Sequence, residues 1–439
     1  MSSLAVFSDS LSQLAGSFLG VFSLKNIFQG LFYFGFFYPI FMSYVWITGA
    51  LVYFWRREMG KKYSVNNPPP LSEYPGVSIL VPCFNESSIA EETISFLMKQ
   101  NYPTFEVIAI NDGSTDNTAE ILDELAERYD NVRIIQFKKN QGKAMALRAG
   151  ALLSQYEFLI CIDGDALLSP NASTWIVKHF LSSPRVGAVT GNPRIRTRST
   201  LLGRIQVGEF SAVVGLIKRA QRTYGRFFSV SGVVTGFRKT ALHRVGYWSI
   251  DMITEDIDIT WKLQMDYWDI RFEPNATSWI LMPETFKGLW NQRLRWAQGG
   301  AEVTIRYFRK LMNWRSRRMI PVLMDYSASL LWSYTIVFIF ILWMLSQFIS
   351  LPEMMRFYIY IPNWLGLLFG LTFALQFIVS IIIDSRYEKG VGKIYYWLIW
   401  YPMAYWLISV STAIVAFPKA LFKRSGARAI WTSPDRGLR

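Results

Sequence analysis

Cysteine and histidine are scarce in this chain: it contains 2 of each in 439 residues. Cys83 and Cys161 each lie in an apolar run, so we expect no disulfide framework and no cysteine-based zinc site. His179 and His243 have no triad-like partners close in the sequence, which leaves Ser-His-Asp and Cys-His mechanisms without support. The chemistry of the chain must therefore depend on other side chains.

Two common nucleotide-binding fingerprints are also missing. There is no Gly-x-Gly-x-x-Gly motif. The run Asn140-Gln141-Gly142-Lys143 looks like part of a P-loop, but Phe137 stands where its first glycine belongs and Ala144 where its hydroxyl residue belongs. The pattern therefore excludes a P-loop ATPase. Lys143 remains a candidate phosphate contact.

Acidic residues are outnumbered, with 32 Asp and Glu against 46 Lys and Arg, which gives a net charge of +14. Such a balance suits phosphates or anionic lipid headgroups. Hydrophobic residues make up 51% of the chain and aromatic residues 16%, so a membrane is favoured over nucleic acid. The length predicts two or three structural units.

The membrane-associated part of the chain lies at both ends. We predict an amphipathic or membrane-associated segment over 1–30 and a span over 31–55, which carries no charge. Basic residues follow this span and predict that the next domain faces the cytoplasm. The remaining boundaries are a linker at 56–75, interfacial amphipathic helices at 285–320, three apolar segments within 327–417 and a basic tail at 418–439. Three crossings would place this tail outside, whereas its basic charge favours the inside, so its side stays open.

Residues 76–284 have the pattern of an α/β domain. Short runs rich in Val, Ile and Phe predict strands, and helical patterns lie between the earlier ones. The predicted strands are 77–83, 106–111, 132–137, 157–163 and 186–190, and the helices are 89–99, 115–129 and 142–154. This alternation predicts a mostly parallel sheet whose ligands bind at the carboxyl ends of the strands.

Acidic residues follow several of these strands. Asp163 and Asp165 come directly after an apolar run, and Asp112 follows the second strand. Carboxylates in this position can hold a hard cation with a diphosphate, although a solvated turn is the ordinary alternative. Glu255 and Asp256 begin a predicted helix, where capping and the helix dipole are a sufficient explanation by themselves.

A basic stretch over 192–226 carries eight Lys and Arg residues against Glu209. Such a run predicts a solvated face, or contact with headgroups or an anionic regulator.

The ordered set formed by Asp112, Asp163-Gly164-Asp165, Thr254-Glu255-Asp256 and Gln292-x-x-Arg295-Trp296 resembles processive family 2 glycosyltransferases. The resemblance covers about 77–314. The stretches 189–194, 253–258, 292–300 and 433–437 look most like those of the bacterial poly-β-1,6-N-acetylglucosamine synthases. The resemblance implies an α/β nucleotide-diphospho-sugar transferase fold of the GT-A type, embedded between transmembrane helices.

The resemblance also implies roles for individual residues. Asp256 would be the general base, with Glu255 beside it, and Asp165 would bind Mg²⁺ or Mn²⁺. The nucleotide-sugar site would comprise Pro82, Asn85, Glu86, Asp112, Lys143 and Asp163. The acceptor end and the pyrophosphate would be bordered by Gln292, Arg293, Arg295 and Trp296.

The implied activity is polymerisation of N-acetylglucosamine from UDP-N-acetylglucosamine into a β-1,6-linked biofilm polysaccharide, with extrusion of the chain. Chitin, hyaluronan and cellulose remain alternative products, and a membrane binding or transport protein without catalysis is a third hypothesis. The implied location is the bacterial inner membrane, crossed several times, with the catalytic domain in the cytoplasm. Control by cyclic di-GMP, found in some family members, would here need a small accessory membrane subunit. No nucleic acid partner is expected.

Overall fold

The computed structural model describes residues 23–355, 364–388 and 401–423, together with Gly390, Gly426, Arg428 and Ala429. Most of the predicted segment 1–30, part of the basic tail and the stretch 433–437 lie outside these residues. The chain divides into two compact units, Met1–Tyr44 with Tyr326–Phe373, and Val45–Asp325 with Ala374–Arg439.

The second unit contains one eight-stranded sheet with the order β3-β2-β1-β4-β7-β6-β8-β5. Its strands are β1 Val77–Cys83, β2 Phe105–Asn111, β3 Val132–Gln136, β4 Phe158–Ile162, β5 Leu167–Leu168, β6 Val186–Ile195, β7 Val234–Arg238 and β8 Asp269–Ile280. Strands β1 to β4 are mutually parallel and β6 is parallel to β8, whereas β7 and β5 run antiparallel to their neighbours. The prediction of a mostly parallel sheet is therefore confirmed.

Hydrophobic cores cover both faces of the sheet. All seven residues of β1 are buried, which is typical of a central strand in a parallel sheet. Ile79 and Val81 belong to one core and Leu80 to the other. The alternation of side chains along a strand produces this division. Because β1, β2 and β4 are parallel, their carboxyl ends lie at the same edge of the sheet.

Helices flank the strands and continue beyond them. They are α1 Leu24–Tyr53, α2 Ala90–Leu97, α3 Thr118–Arg128, α4 Lys143–Leu153, α5 Ala172–Ser182, α6 Leu201–Phe210, α7 Ile217–Tyr224, α8 Lys239–Val245, α9 Glu255–Met265, α10 Phe286–Leu311, α11 Ile320–Ser346, α12 Trp364–Asp384 and α13 Tyr401–Leu421. The sequence pattern does not predict β7 or β8. A glycine interrupts β7, and β8 contains Pro274 and pairs with β6 through register shifts.

In the part of the chain that the structure describes, three helical stretches are long and apolar enough to cross a membrane: Leu24–Glu58, Trp314–Ser346 and Gly366–Asp384. Tyr405–Leu421 forms a shorter apolar helix. Within the first unit, Trp332 Nε1 donates to the carbonyl of Gly35 at 2.8 Å, and Phe28 packs with Ile339 and Leu342.

Several residues of the basic stretch over 192–226 form buried ion pairs. The prediction of a solvated face is therefore wrong for Arg194 and Arg219. Arg219 is fully buried, with Nε 2.7 Å from Oε1 of Glu58 and Nη1 3.2 Å from Oδ1 of Asp384. Arg194 is also buried, 2.9 Å from Oδ2 of Asp384. A periodicity argument cannot foresee these pairs, because the acids come from distant segments.

Candidate active site

The Asp163-Gly164-Asp165 turn follows β4 and packs against the end of β1. A Cβ atom at Gly164 would lie 3.0 Å from the carbonyl oxygen of Pro82 and 3.3 Å from Cγ of Glu86. A side chain there would require these neighbours to move by a few tenths of an ångström, so glycine suits this close approach. Asp165 is buried, whereas Asp163 keeps a quarter of its side chain exposed. The structure therefore brings Pro82 and Glu86 next to the paired acids.

Asn85 ties the loop after β1 to the loop after β2. Its φ of 55° lies in the left-handed region, which asparagine tolerates better than most residues. Its Oδ1 accepts from the backbone N–H of Thr115 at 2.9 Å, and its own N–H donates to Ser114 Oγ at 3.0 Å. Asn85 thus fixes the shape of this edge of the sheet.

Asp112 is fully buried and is held by the loop that begins α4. Its two carboxylate oxygens accept from the backbone N–H groups of Gln141 at 2.7 Å and Gly142 at 2.8 Å. Burial raises the pKa of Asp112 in spite of these hydrogen bonds. Asp112 therefore shapes the loop ahead of Lys143.

Lys143 connects the two sides of the candidate site. Its Nζ lies 2.6 Å from Oδ1 of Asp163 and 2.8 Å from Oε1 of Glu255, and it donates to the carbonyl of Gly232 at 3.3 Å. Burial would lower the pKa of Lys143, but the two carboxylates outweigh it and raise that pKa. Burial opposes ionisation of Glu255, yet Lys143 keeps its pKa below the usual range. Lys143 is therefore a fixed positive charge between two acids.

Asp256, at the start of α9, differs electrostatically from its neighbour Glu255. Desolvation, followed by the negative charge of Glu255, raises the pKa of Asp256 to about 6. Its Oδ1 accepts from the N–H of Ile257 at 2.9 Å and its Oδ2 from Ser229 Oγ at 3.2 Å. A carboxylate with a pKa closer to neutrality is a better proton acceptor at physiological pH. Glu255 and Asp256 thus have pKa values shifted in opposite directions, although they are adjacent in the sequence.

The four predicted residues on α10 fall into different environments. Arg293 is buried, pairs with Oε2 of Glu209 at 2.7 Å and lies 4.3 Å from the ring centroid of Trp296. Trp296 is 38% exposed, so its ring is accessible. Arg295 is close enough to lower the pKa of Glu255. Oε1 of Gln292 is buried and has no hydrogen-bond partner among the described residues.

Helices α9 and α10 are held together directly. Tyr307 donates to Oδ1 of the buried Asp258 at 2.7 Å. A Cβ atom at Gly299 would lie 2.6 Å from Cβ of Thr254, so this glycine permits close contact of the helices. This packing places the acids of α9 in a fixed relation to the basic and aromatic residues of α10.

The segment after α13 returns to the catalytic unit. Lys423 Nζ donates to the carbonyl of Asp251 at 2.8 Å and pairs with Oε2 of Glu302 at 2.8 Å. Arg428 donates to Gln141 Oε1, and the Ala429 carbonyl lies against Gly142. The contact reaches the loop that binds Asp112. This contact was not predicted, because the basic charge of Lys423 and Arg428 does not indicate which distant residues they contact.

Within the described residues, no group of three or more His, Cys, Asp or Glu side chains has a geometry for binding a metal. The carboxylate of Asp165 still has the oxygen chemistry that Mg²⁺ and Mn²⁺ prefer. One protein carboxylate and the oxygens of a diphosphate form a common type of magnesium site. The residues present therefore fit a cation that arrives with a diphosphate.

Sequence reasoning missed several residues around the site. Ser229 contacts Asp256 and Glu209 contacts Arg293, and Lys218 donates to the carbonyl of Ser229. Their signal was weak, since serine and lysine occur everywhere on protein surfaces. Only Glu209 had a distinguishing feature, as the single acid in a basic stretch.

Comparison with known proteins agrees with this geometry. A family model described as "Glycosyltransferase like family 2" matches residues 75–299. A mannosyltransferase from Pyrobaculum calidifontis, solved with GDP-Man and Mn²⁺, has a TM-score of 0.61 at 21% identity, covering 91% of this chain and 99% of the other. That likeness supports the fold, and the predicted GT-A class is confirmed.

Curated relatives align over nearly the whole chain. A poly-beta-1,6-N-acetyl-D-glucosamine synthase from Staphylococcus epidermidis is 40% identical over 415 residues, which are 93% of this chain and 98% of the relative. A synthase of the same name from Staphylococcus aureus strain COL is 40% identical over 405 residues, 91% of this chain and 97% of the relative. The predicted resemblance is confirmed: the chain belongs to glycosyltransferase family 2, in the group of the poly-beta-1,6-N-acetyl-D-glucosamine synthases.

Proposed function

We propose that this glycosyltransferase polymerises N-acetylglucosamine from UDP-N-acetylglucosamine into a β-1,6-linked polysaccharide. The observation that carries the proposal is the contrast between two adjacent acids: Lys143 pairs with Glu255 and lowers its pKa, whereas burial raises the pKa of Asp256 to about 6. The names of the curated relatives supply the sugar and the linkage.

An inverting transfer needs one base on the acceptor side. The acceptor hydroxyl attacks the anomeric carbon, the bond from that carbon to the diphosphate breaks, and the hydroxyl proton passes to a carboxylate. Asp256 would take this proton, because desolvation makes it the stronger base of the pair. Glu255 would remain ionised and keep Lys143 in place.

The leaving diphosphate must be stabilised as it gains charge. Lys143 would supply one positive charge, since it lies at the boundary between Asp163 and Glu255. Arg295 would supply a second from α10. Asp163 would help bind the nucleotide. The rest of the nucleotide-sugar site would be lined by Pro82, Asn85, Glu86 and Asp112.

Asp165 would hold Mg²⁺ or Mn²⁺ next to the diphosphate. When bound, such a cation neutralises negative charge on the leaving group. The acidic turn at the end of β4 supports this assignment through the oxygen chemistry of its side chains. No other step depends on the cation.

The acceptor end of the growing polymer would lie along α10. The exposed ring of Trp296 offers a flat apolar face of the kind on which sugars stack, and the buried pair of Arg293 with Glu209 holds it from behind. Gln292 would contribute its buried carbonyl oxygen. The apolar helices would place synthesis at a lipid bilayer, with the catalytic unit in the cytoplasm and the polymer extruded across the bacterial inner membrane.

The test is polymer synthesis by membranes that contain the chain. Membranes would receive labelled UDP-N-acetylglucosamine with Mg²⁺ or Mn²⁺, and the product would be digested with linkage-specific hydrolases. We expect a polymer sensitive to β-1,6-specific cleavage, and loss of about 10²–10⁴-fold in rate for Asp256→Asn. A polymer resistant to that cleavage would reject the linkage and point to a chitin-, hyaluronan- or cellulose-like product. Transfer at the wild-type rate by Asp256→Asn would reject the role of the base. A parallel reaction should include any small membrane subunit encoded with the chain.

A further inference from the structure

The segment Phe227–Ser231 is fastened to α9 along its whole length. Phe227 exchanges two hydrogen bonds with the side-chain amide of Gln264, at 2.9 and 2.8 Å. The carbonyl of Phe228 accepts from Trp261 Nε1 at 3.0 Å, and the N–H of Val230 donates to Thr260 Oγ1 at 2.8 Å. Gln264, Trp261 and Thr260 all lie on the helix that begins with Glu255 and Asp256.

The opposite side of the segment is fixed just as firmly. The N–H of Ser231 donates to Thr190 Oγ1 at 2.8 Å, and its carbonyl accepts from Thr235 Oγ1 at 2.6 Å. Thr190 belongs to β6 and Thr235 to β7. A loop that is tied to a helix and to two strands has little conformational freedom, so its side chains are presented at fixed positions.

Ser229 is the residue of this loop that reaches Asp256. Its hydroxyl lies 3.2 Å from Oδ2 of Asp256 and 2.6 Å from the carbonyl of Val230. Because a hydroxyl has one proton, the two acceptors share it or alternate. The other carboxylate oxygen of Asp256 is held by the N–H of Ile257. Each oxygen of the carboxylate therefore has one donor.

Lys218 completes the arrangement from α7. It is 9% exposed, and its Nζ donates to the carbonyl of Ser229 at 2.7 Å. Burial lowers the pKa of Lys218 to about 8, and the charge of Asp256 opposes that change. A lysine is rarely buried without a strong reason. Here its ammonium group holds the backbone of Ser229, whose hydroxyl contacts the carboxylate of Asp256.

We propose that Lys218 and Ser229 are positioning residues that orient the carboxylate of Asp256 toward the acceptor hydroxyl. The inference rests on the proposed function, in which Asp256 is the base. Gly232 supports it, since a Cβ atom there would lie 3.5 Å from both Oδ2 of Asp256 and Nζ of Lys143. The absence of a side chain at Gly232 leaves room for an acceptor beside the oriented carboxylate.

The charged groups around Asp256 are the carboxylate of Glu255 and the ammonium groups of Lys143 and Lys218. Lys143 already forms ion pairs with Asp163 and Glu255. Lys218 has no acidic partner within ion-pair distance among the described residues, and so its charge acts on Asp256 without a competing pair. Removal of this charge should therefore make Asp256 harder to ionise.

The test compares full-length variants in membranes over a range of UDP-N-acetylglucosamine concentrations that extends to saturation. For Ser229→Ala and Lys218→Met we expect kcat to fall about 10–100-fold while KM for the nucleotide sugar stays within about twofold. Ser229→Thr and Lys218→Arg keep the donors and should recover most of the rate. For Lys218→Met the acidic limb of the kcat–pH profile should move to higher pH.

Matched controls are available away from Asp256, at the start of α8 and just after α4. Lys239 donates to the carbonyl of Ser154 at 2.7 Å, and Ser154 Oγ donates to the carbonyl of Ala151 at 2.7 Å. Lys239→Met and Ser154→Ala reproduce the chemistry of the changes away from Asp256 and should keep kcat. Ser229→Ala removes one oxygen atom, so it tests the inference even if Lys218→Met does not fold.

Wild-type kcat in Ser229→Ala would overturn the inference, as would a loss that appears mainly in KM. If Asp256→Asn is inactive while Ser229→Ala and Lys218→Met are fully active, the inference alone fails. If Asp256→Asn is itself active, the proposed base is wrong and the inference fails with it.

Discussion

The Nζ atom of Lys143 lies 2.8 Å from Oε1 of Glu255, and this ion pair joins the start of α4 to the start of α9. The two residues are far apart in the sequence, since α4 precedes β4 and α9 follows β7. Their pairing converts separate strand-end and helix-start acids into one site. It also explains why Glu255 and Asp256, although adjacent, differ in their readiness to accept a proton.

Removal of the Lys143 charge should therefore damage the site more than the loss of one surface lysine. Lys143→Met leaves Asp163 and Glu255 facing each other without a cation, and partly buried acids in that state repel. We expect kcat/KM to fall by at least about 100-fold, measured by labelled sugar incorporation. Lys138→Met, at an exposed position in the same loop, should keep the wild-type value. Equal activity of the two variants would contradict the assignment.

The pH dependence of kcat should report Asp256. The raised pKa of about 6 means that the carboxylate is protonated, and inactive as a base, below that pH. Activity should therefore rise as pH passes through about 6 and then level off. Glu255→Gln removes the neighbouring negative charge and should move this limb to lower pH.

Histidine also titrates in this range, and the chain offers a simple control because it contains only 2 histidines. The double variant His179→Gln/His243→Gln should keep the acidic limb in place. Loss of the limb in this variant would assign it to a histidine and refute the role given to Asp256.

Gly299 should tolerate no side chain. A Cβ atom there would overlap Thr254, the residue that precedes the two acids of α9. Gly299→Ala should cost about 1–3 kcal/mol of stability and displace the start of α9, with a matching loss of kcat. Thermal unfolding in detergent and polymer synthesis measure the two effects. Gly366→Ala is the matched control, since a Cβ atom at that helical glycine would meet none of the atoms that the structure describes within 4 Å.

The buried charge of Arg219 should matter for stability more than for chemistry. Arg219→Met leaves the carboxylates of Glu58 and Asp384 without one of their partners in a dry environment. We expect a loss of about 3–5 kcal/mol, seen as faster thermal inactivation in membranes. The double variant Glu58→Gln/Arg219→Met should recover part of that loss, because it removes one of the stranded charges.

Arg128 provides the comparison for an exposed pair. It lies 2.9 Å from Oε1 of Glu91, with both side chains about half exposed. Arg128→Met should leave the thermal stability close to that of the wild type, because solvent screens an exposed ion pair. A similar loss of stability in Arg128→Met and Arg219→Met would mean that the buried ion pairs of Arg219 contribute no more to stability than an exposed pair.

Local sequence pattern was sufficient for the first half of the sheet. The strands β1 to β4 are short apolar runs separated by amphipathic helices, and their bounds agree with the prediction to within one or two residues. It failed for β7 and β8, which contain glycine, proline and polar residues and are strands because neighbouring strands pair with them. β7 lies between β4 and β6, and β8 pairs with β6 and β5. Tertiary pairing overrides local preference in such strands.

Residue types and their order along the chain were enough to predict the chemical groups of the site: few cysteines and histidines, acids at strand ends, a Glu-Asp pair at a helix start, and a basic aromatic helix after them. These features sufficed to identify the glycosyltransferase family. The contacts of each charged group became visible in the folded chain alone. Lys143 contacts two acids, Arg219 is buried against Glu58, and Ser229 reaches Asp256. The interaction energy of a charged group and its pKa depend on burial and on partners from distant segments, and no local pattern contains that information.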